Sequence, residues 1–345
     1  MTREGDRTVK AIVYGVGAIG SEVAKFALTR PWLKIVGAVD SDPAKIGSDL
    51  GSVLGVARPL GIEVSGNPMS LFQRVDADVV LLTTGSFLTA IYDQLEMVTR
   101  AGLDVVTSAE ELAFPTLQSA ESAEKLDRLA KEKGITIKAA GVNPGFVMDS
   151  LIVFLATSSA DIEHVSVRRT VDCSLRRKQL QLKVGAGWSV EQFKQKLGKE
   201  FFGHAGLMES AALVADGLGM IPDRISQTVE PVISQQAHQT EHVSIKPGDV
   251  SGMRQIARCF RNGDEYVKLE VLFYIGALEP KDQILLKGRP DIDLTIKDGI
   301  AGDQATVAIL INSILPTLEA KPGLLTPTGK SIAEIPWRCP VDPGY

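Results

Sequence analysis

From Val9 onward the chain alternates short apolar runs with segments whose apolar residues recur at helical spacing. Ala11-Ile12-Val13-Tyr14 opens the series, and Val23, Phe26 and Ala27 mark a helical segment that Pro31 stops. Ile35-Val36-Gly37-Ala38-Val39 is the second run and Gly61-Ile62-Glu63-Val64 a short third. Ala77 to Ser86 reads as a buried strand and Phe87 to Ala101 as a helix, with Gly102 where a left-handed C-terminal residue belongs. Leu103 to Ser108 is a further strand, Thr116 to Lys133 an amphipathic helix followed by Gly134, and Ile135 to Gly141 the last run. Strands alternating with helices predict a parallel sheet covered on both faces, the α/β doubly wound architecture. Ligands bind such sheets beyond the carboxyl ends of the strands, so the residues just after each strand carry the chemistry.

Past about Met148 the pattern changes to longer alternating strands. Ile256, Arg258 and Phe260 alternate on one arm and Val267, Leu269, Val271 and Phe273 on the other, with Asn262-Gly263 between them, a strong hairpin signal. Ser189 and Gln192 have capping-box spacing for a helix running to about Leu197. This region predicts a second α+β domain built on a mostly antiparallel sheet, one face buried and one available to a partner subunit. A final helix from about Asp303 to Leu318 precedes an irregular, proline-containing tail.

Composition narrows the class. The 345 residues suit two domains, and 44% hydrophobic with 23% charged residues is ordinary for a globular protein. The formal charge, 37 − 42 = −5, comes without a long single-sign run and argues against a nucleic-acid partner. No apolar stretch approaches the length of a membrane span, and the first residues have no hydrophobic signal core, so the expected compartment is the cytoplasm. Cys173, Cys259 and Cys339 show neither disulfide nor zinc spacing, and no metal is expected from the four histidines, among which His238 and His242 lie in strand or loop. Hydrolase chemistry has no footing, since no G-x-S-x-G elbow is present.

The first strand runs straight into Gly15-Val16-Gly17-Ala18-Ile19-Gly20. Gly15 permits the tight turn, Gly17 lets the backbone approach a pyrophosphate, and Gly20 lets helix and strand pack closely; the helix start at Ala18 and Ile19 offers free N–H groups. Asp40, twenty residues past Gly20, can accept hydrogen bonds from ribose hydroxyls. This is a Rossmann dinucleotide site. Asp40 repels a 2′-phosphate, so NAD is expected over NADP, with Lys45 close enough in sequence to soften the preference and leave NADP possible. Thr83, Thr84, Gly85, Ser108 and Asn143 follow later strands and are expected beside the nicotinamide half. Domains are accordingly expected at 1–147 (dinucleotide-binding), 148–300 (substrate-binding and dimerisation) and 301–345 (C-terminal helix and tail).

Glu110-Glu111 is the sharpest catalytic candidate, a pair of carboxylates at a strand end; the residues alone leave open which of the two acts, or whether they simply favour a helix dipole. In the cationic run from Arg168 to Lys178 most side chains suit a solvated face, and Arg169 is the one expected to face inward and hold a carboxylate or phosphate of the substrate.

Taken together, Gly15 to Gly20, Glu110-Glu111-Leu112 with Pro115, and Gly141-Val142-Asn143-Pro144-Gly145-Phe146 resemble the dihydrodipicolinate-reductase-like superfamily. The resemblance extends through Lys183 to Gly187, Gly203-His204-Ala205-Gly206-Leu207 with Glu209-Ser210, Gly302 to Thr306 and Pro322 to Thr326. Within the superfamily the chain is similar to the 2,4-diaminopentanoate dehydrogenases and the native NAD(P)H-dependent amine dehydrogenases. The paired-histidine signature of the true dihydrodipicolinate reductases is missing. The resemblance implies a Rossmann domain, a substrate domain whose large sheet makes a homodimer, a cleft between the two, and Glu111 as the catalytic carboxylate. It implies reductive amination of a small ketone or aldehyde with ammonia through an iminium, or the reverse reaction on an amine. Asn143, Pro144 and Met148 are expected to wall the substrate pocket. An oxidoreductase acting on a semialdehyde, hydroxy acid or cyclic imine without ammonia is the alternative, and a non-catalytic NAD-binding protein a third.

Overall fold

The computed structural model of the protein describes residues 8–197 and 202–327; the proline-containing tail from 328 and Cys339 lie outside them. Two units divide these residues, one of positions up to 141 together with those from 306, the other of 142–305.

Along the first unit run β1 (Val9–Tyr14), α1 (Ala18–Ala27), β2 (Leu33–Val39), α2 (Leu50–Leu54), β3 (Val64–Ser65), α3 (Pro68–Arg74), β4 (Val79–Leu82), α4 (Leu88–Arg100), β5 (Asp104–Thr107), α5 (Ala120–Lys133) and β6 (Thr136–Ala139). The second unit holds α6 (Ser150–Ala156), β7 (Ala160–Asp172), α7 (Lys178–Lys183), α8 (Val190–Leu197), α9 (Leu207–Gly217), β8 (Arg224–Ile233), β9 (His238–Gln239), β10 (Ser244–Ile245), β11 (Val250–Arg261), β12 (Asp264–Tyr274), β13 (Lys281–Arg289) and β14 (Ile292–Lys297). The chain then runs through α10 (Gly302–Asn312), α11 (Ile314–Leu318) and β15 (Gly323–Leu325).

The first unit is the expected doubly wound sheet, with strand order β15-β6-β5-β4-β1-β2-β3 and every pair parallel. One face buries Ala11, Val13, Leu81 and Val106 with Val23 and Ala27 of α1 and Leu310, Ile311 and Ile314 of the C-terminal helices. The opposite face buries Ile12, Val80, Leu82 and Ile137 with Ile91 and Leu95 of α4 and Leu126 of α5. The C-terminal helices, read from the sequence as a separate element, therefore contribute side chains to the first unit's core. Strand order reverses beside β1, between β4 and β2, so the loops after β1 and β4 flank the switch point where such sheets bind ligands.

Three boundaries differ from the sequence reading, each for a local reason. The third strand is Val64–Ser65 rather than Gly61 to Val64, because Gly61 takes φ +69° and the Asp49 carboxylate accepts the N–H groups of Leu60, Gly61 and Ile62. Helix α5 starts at Ala120 rather than Thr116, the intervening chain forming 3-10 turns at Glu110–Ala113 and Pro115–Leu117. The last helix breaks at Ser313, since Pro316 has no N–H to give the carbonyl of Asn312 and its ring crowds that group.

In the second unit the main sheet is ordered β14-β13-β7-β12-β11-β8 and is antiparallel except at the β7–β12 pair. Asn262 (φ +54°) and Gly263 (φ +88°) form the two-residue turn between β11 and β12, the positive φ pair whose twist matches the strands. The capping box is reciprocal: Gln192 N–H donates to Ser189 Oγ at 3.2 Å and Ser189 N–H to Gln192 Oε1 at 2.8 Å.

Candidate active site

Around the glycine-rich turn the sequence-expected residues converge. Gly15 has φ +94°, and a Cβ on Gly20 would lie 1.8 Å from the Gly15 carbonyl oxygen, so neither position accepts a side chain unstrained. A Cβ on Gly17 would meet nothing within 4 Å, which leaves an open backbone face at the start of α1. Ser21 N–H is the first to reach back into the helix, to Gly17 O at 2.9 Å, so the N–H groups of Ala18, Ile19 and Gly20 have no intrahelical acceptor. A pyrophosphate fits this open turn and these free donors.

Asp40, at the end of β2, is buried; its Oδ2 accepts from Val16 N–H at 2.8 Å and from Lys45 Nζ at 3.1 Å, and its Oδ1 from Asp42 N–H at 2.8 Å. Burial opposes its charge, yet the Asp42 N–H, the Lys45 ammonium and the Val16 N–H together hold the carboxyl below its ordinary value. The Thr83 hydroxyl, expected beside the nicotinamide, donates to Gly15 O at 2.8 Å and fastens the turn, and the Thr84 hydroxyl donates to Gln94. Gly85 packs against Ile91, and Ser108 N–H donates to Leu82 O at the ends of β5 and β4.

Glu111 and Glu110 sit in the 3-10 turn after β5 and have different surroundings: Glu110 is partly exposed, whereas Glu111 is 4% exposed. Glu111 N–H donates to Ser86 O at 3.0 Å, tying the loop after β5 to the loop after β4. Its carboxylate accepts from Leu88 N–H at 2.7 Å through Oε2 and from the Ser119 hydroxyl at 2.5 Å through Oε1. No Lys, Arg or His among the described residues is paired with it. A buried carboxylate without a cation is costly, and an incoming cation removes that cost.

The second unit begins with the loop carrying Asn143, Pro144 and Met148. Asn143 and Pro144 are joined by a cis peptide, Gly145 has φ +123°, and Met148 is fully buried. Asp149, which sequence reasoning passed over, organises the loop. It is fully buried and accepts from Gly145 N–H at 2.9 Å, Ser150 N–H at 2.6 Å and the Ser210 hydroxyl at 2.7 Å. Burial raises its pKa, against the hydrogen bonds from Gly145, Ser210 and Ser150. Ser210 Oγ also lies 3.4 Å from Asn143 Oδ1, while Asn143 Nδ2 is buried without a partner. A buried amide donor without a protein partner is open to a water or a ligand group.

His204 was part of the resemblance but had no assigned role. Its Nε2 lies 3.0 Å from the Asn143 carbonyl oxygen, which can only accept, so the proton is on Nε2. Burial, reinforced by the charge of Lys183, pushes its pKa down to about 3 and keeps the ring neutral. Gln255 brackets its backbone, accepting from His204 N–H at 2.7 Å and donating to His204 O at 3.1 Å. Nothing local in the sequence announces these pairings, which join residues 51 and 61 positions apart.

The cationic run divides by strand alternation. Arg169 does face inward, but its guanidinium is engaged by Asp282 at 2.6 Å and by the Ile300 carbonyl. Arg168, on the opposite face of β7, pairs with Glu270 at 2.6 Å, Arg176 with Asp303 at 3.2 Å, and Arg177 and Lys178 are exposed.

Comparison with known proteins agrees with this arrangement. Residues 9–140 match the dihydrodipicolinate reductase N-terminal domain, and residues 146–336 match the 2,4-diaminopentanoate dehydrogenase C-terminal domain. The chain is 29% identical over 335 residues to the 2,4-diaminopentanoate dehydrogenase of Acetoanaerobium sticklandii, with 92% of each chain covered. It is 23% identical over 347 residues to an amine dehydrogenase of Streptomyces virginiae, covering 92% of this chain and 94% of the other. The solved amine dehydrogenase from Mycobacterium smegmatis superposes with a TM-score of 0.83 at 26% identity, covering 94% of this chain and 96% of that one. No helix among the described residues is long and apolar enough to cross a membrane. With one family match extending over more than half of its length, the chain belongs to the 2,4-diaminopentanoate dehydrogenase family, NAD(P)-dependent oxidoreductases acting on CH–NH2 groups.

Proposed function

We propose that the protein catalyses reductive amination of a small ketone or aldehyde with ammonia, and the reverse oxidation of an amine, with Glu111 as its catalytic carboxylate. The observation that carries this reading is the buried Glu111 side chain, which has no counter-cation among the described residues. Ammonium and the iminium formed from carbonyl and ammonia are both cations, and either completes the charge balance that the protein leaves open. Glu111 takes a proton from ammonium, freeing the nitrogen lone pair for attack on the carbonyl carbon. It then returns a proton to the departing oxygen as water leaves, and its carboxylate pairs with the resulting C=N cation. The bound dinucleotide supplies the hydride, or accepts it in the oxidative direction. In that direction Glu111 takes the proton from the amine's ammonium group.

Gly15, Gly17, Ala18, Ile19 and Gly20 hold the pyrophosphate in this reading, and Asp40 the ribose, with NAD preferred. The Lys45–Asp40 ion pair at 3.1 Å offsets part of the repulsion toward a 2′-phosphate and supports some use of NADP. Asn143, Pro144 and Met148 shape the substrate pocket, and the orphaned Asn143 Nδ2 supplies a donor there. Arg169, bound to Asp282 and the Ile300 carbonyl, serves the substrate unit by stiffening it. The enzyme acts in the cytoplasm as a homodimer, checked for assembly by light scattering. Following NADH oxidation with a panel of short ketones and aldehydes tests the reaction: turnover is expected only with ammonium present. Equal turnover without ammonium would move the assignment to direct carbonyl reduction.

A further inference from the structure

Two helices begin without a side-chain cap of their own and direct a donor to the same carboxylate. Phe87 precedes α4 and supplies no cap, and the first N–H of that helix, Leu88, donates instead to Glu111 Oε2 at 2.7 Å. Ser119 occupies the N-cap of α5, where a serine oxygen ordinarily accepts a hydrogen bond from the first turn and stabilises the helix. Here it makes no such bond: its hydroxyl donates to Glu111 Oε1 at 2.5 Å. Each carboxylate oxygen is thus gripped by one donor from a different helix start.

We propose that Ser119 is a positioning residue for the reaction, holding the Glu111 carboxylate in one rotamer so that its remaining lone pairs face the reacting nitrogen. The inference rests on Glu111 being the catalytic carboxylate. The backbone donor at Leu88 fixes one oxygen but leaves the group free to pivot about it, and the Ser119 hydroxyl removes that freedom. A base misplaced by about 1 Å loses up to about a hundredfold in rate, so a group that does nothing but orient one is still felt in turnover. Because the hydroxyl caps nothing, its removal is nearly free of cost to α5. Stability and activity therefore separate at this position. Ser119 is only partly buried, so a threonine fits there and keeps the hydroxyl.

The test compares Ser119→Ala, Ser119→Thr and Glu111→Gln in the full-length enzyme, by steady-state kinetics in ammonium and carbonyl, NADH binding by fluorescence quenching, and thermal melting. Ser119→Ala is expected to lower kcat about tenfold with NADH affinity unchanged and only a small fall in melting temperature from the donor lost to Glu111, and Ser119→Thr to restore most of the loss. Wild-type turnover in Ser119→Ala, or equal loss in the alanine and threonine variants, overturns the positioning role. A parallel fall of melting temperature and NADH affinity in Ser119→Ala assigns the residue to folding and overturns it too. If Glu111→Gln keeps its turnover, it is the catalytic assignment that fails, whatever the serine variants do.

Discussion

Two buried carboxylates lie just past strand ends or in loops that follow them, and they are treated in opposite ways. Asp149 in the second unit is saturated with donors from Gly145, Ser150 and Ser210, and every one serves the shape of its loop. Glu111 in the first unit has two donors, one per oxygen, and lone pairs left over. Burial alone therefore does not mark a working carboxylate. What separates the two is how many of their lone pairs are already taken by donors.

Substitutions divide along that line. The largest effect is expected from Glu111→Gln, which keeps the shape and the Leu88 hydrogen bond, turns the Ser119 one round so that the amide donates to its Oγ, and removes the basic group: kcat falls about 10²- to 10⁴-fold, with NADH binding intact in a fluorescence titration. Intact turnover would erase the distinction. Asp149→Asn should do the reverse, placing an amide among donors that need an acceptor. A loss of about 2–4 kcal/mol is expected, visible as a clear drop in melting temperature, with whatever activity remains following the folded fraction. Asp40 is the intermediate case, an acid shared between the Val16 N–H and Lys45. Asp40→Ser should raise the NADPH-to-NADH ratio of kcat/KM by about tenfold, and an unchanged ratio would remove Asp40 from the ribose. A separate effect belongs to His204, on the saturated side. The unfolded chain takes up a proton below the ordinary value of 6.5, while the folded site refuses it until about pH 3. Wild-type stability therefore declines as pH falls through that window, by at most about 1.4 kcal/mol per pH unit. Denaturant melts at pH 7 and 5 should show the decline shrinking in His204→Gln, whose amide can still donate to the Asn143 carbonyl.

The elements visible in the sequence are those whose signals are local. Gly15 and Gly20 name a turn because only glycine fits its backbone there, and Asn262-Gly263 names a hairpin through two positive φ angles. Glu111 could be found as a candidate, since an acid after a strand is a sequence feature, but preferring it to Glu110 in the proposed reading rests on the resemblance, with its deeper burial in support. Ser119, Asp149 and His204 were out of reach. The Ser119 signal in sequence is that of a cap, which the folded chain does not make. Asp149 and His204 draw their meaning from Ser210, Asn143 and Gln255, partners from 51 to 61 residues away that no periodicity connects. Arg169 was legible as inward-facing, because strand alternation is local, while its engagement by Asp282 across 113 residues was not.

The last strand of the parallel sheet, Gly323–Leu325, arrives long after its neighbour Thr136–Ala139, and Val307, Leu310, Ile311 and Ile314 fill a core whose other buried members lie before residue 141. During translation the nucleotide-binding half must therefore wait, with a bare sheet edge and an uncovered apolar stripe, until the ribosome has passed residue 325. A fragment cut near Gly141 keeps the whole phosphate-binding signature yet carries that wound permanently, and insolubility rather than cofactor loss should be its first symptom.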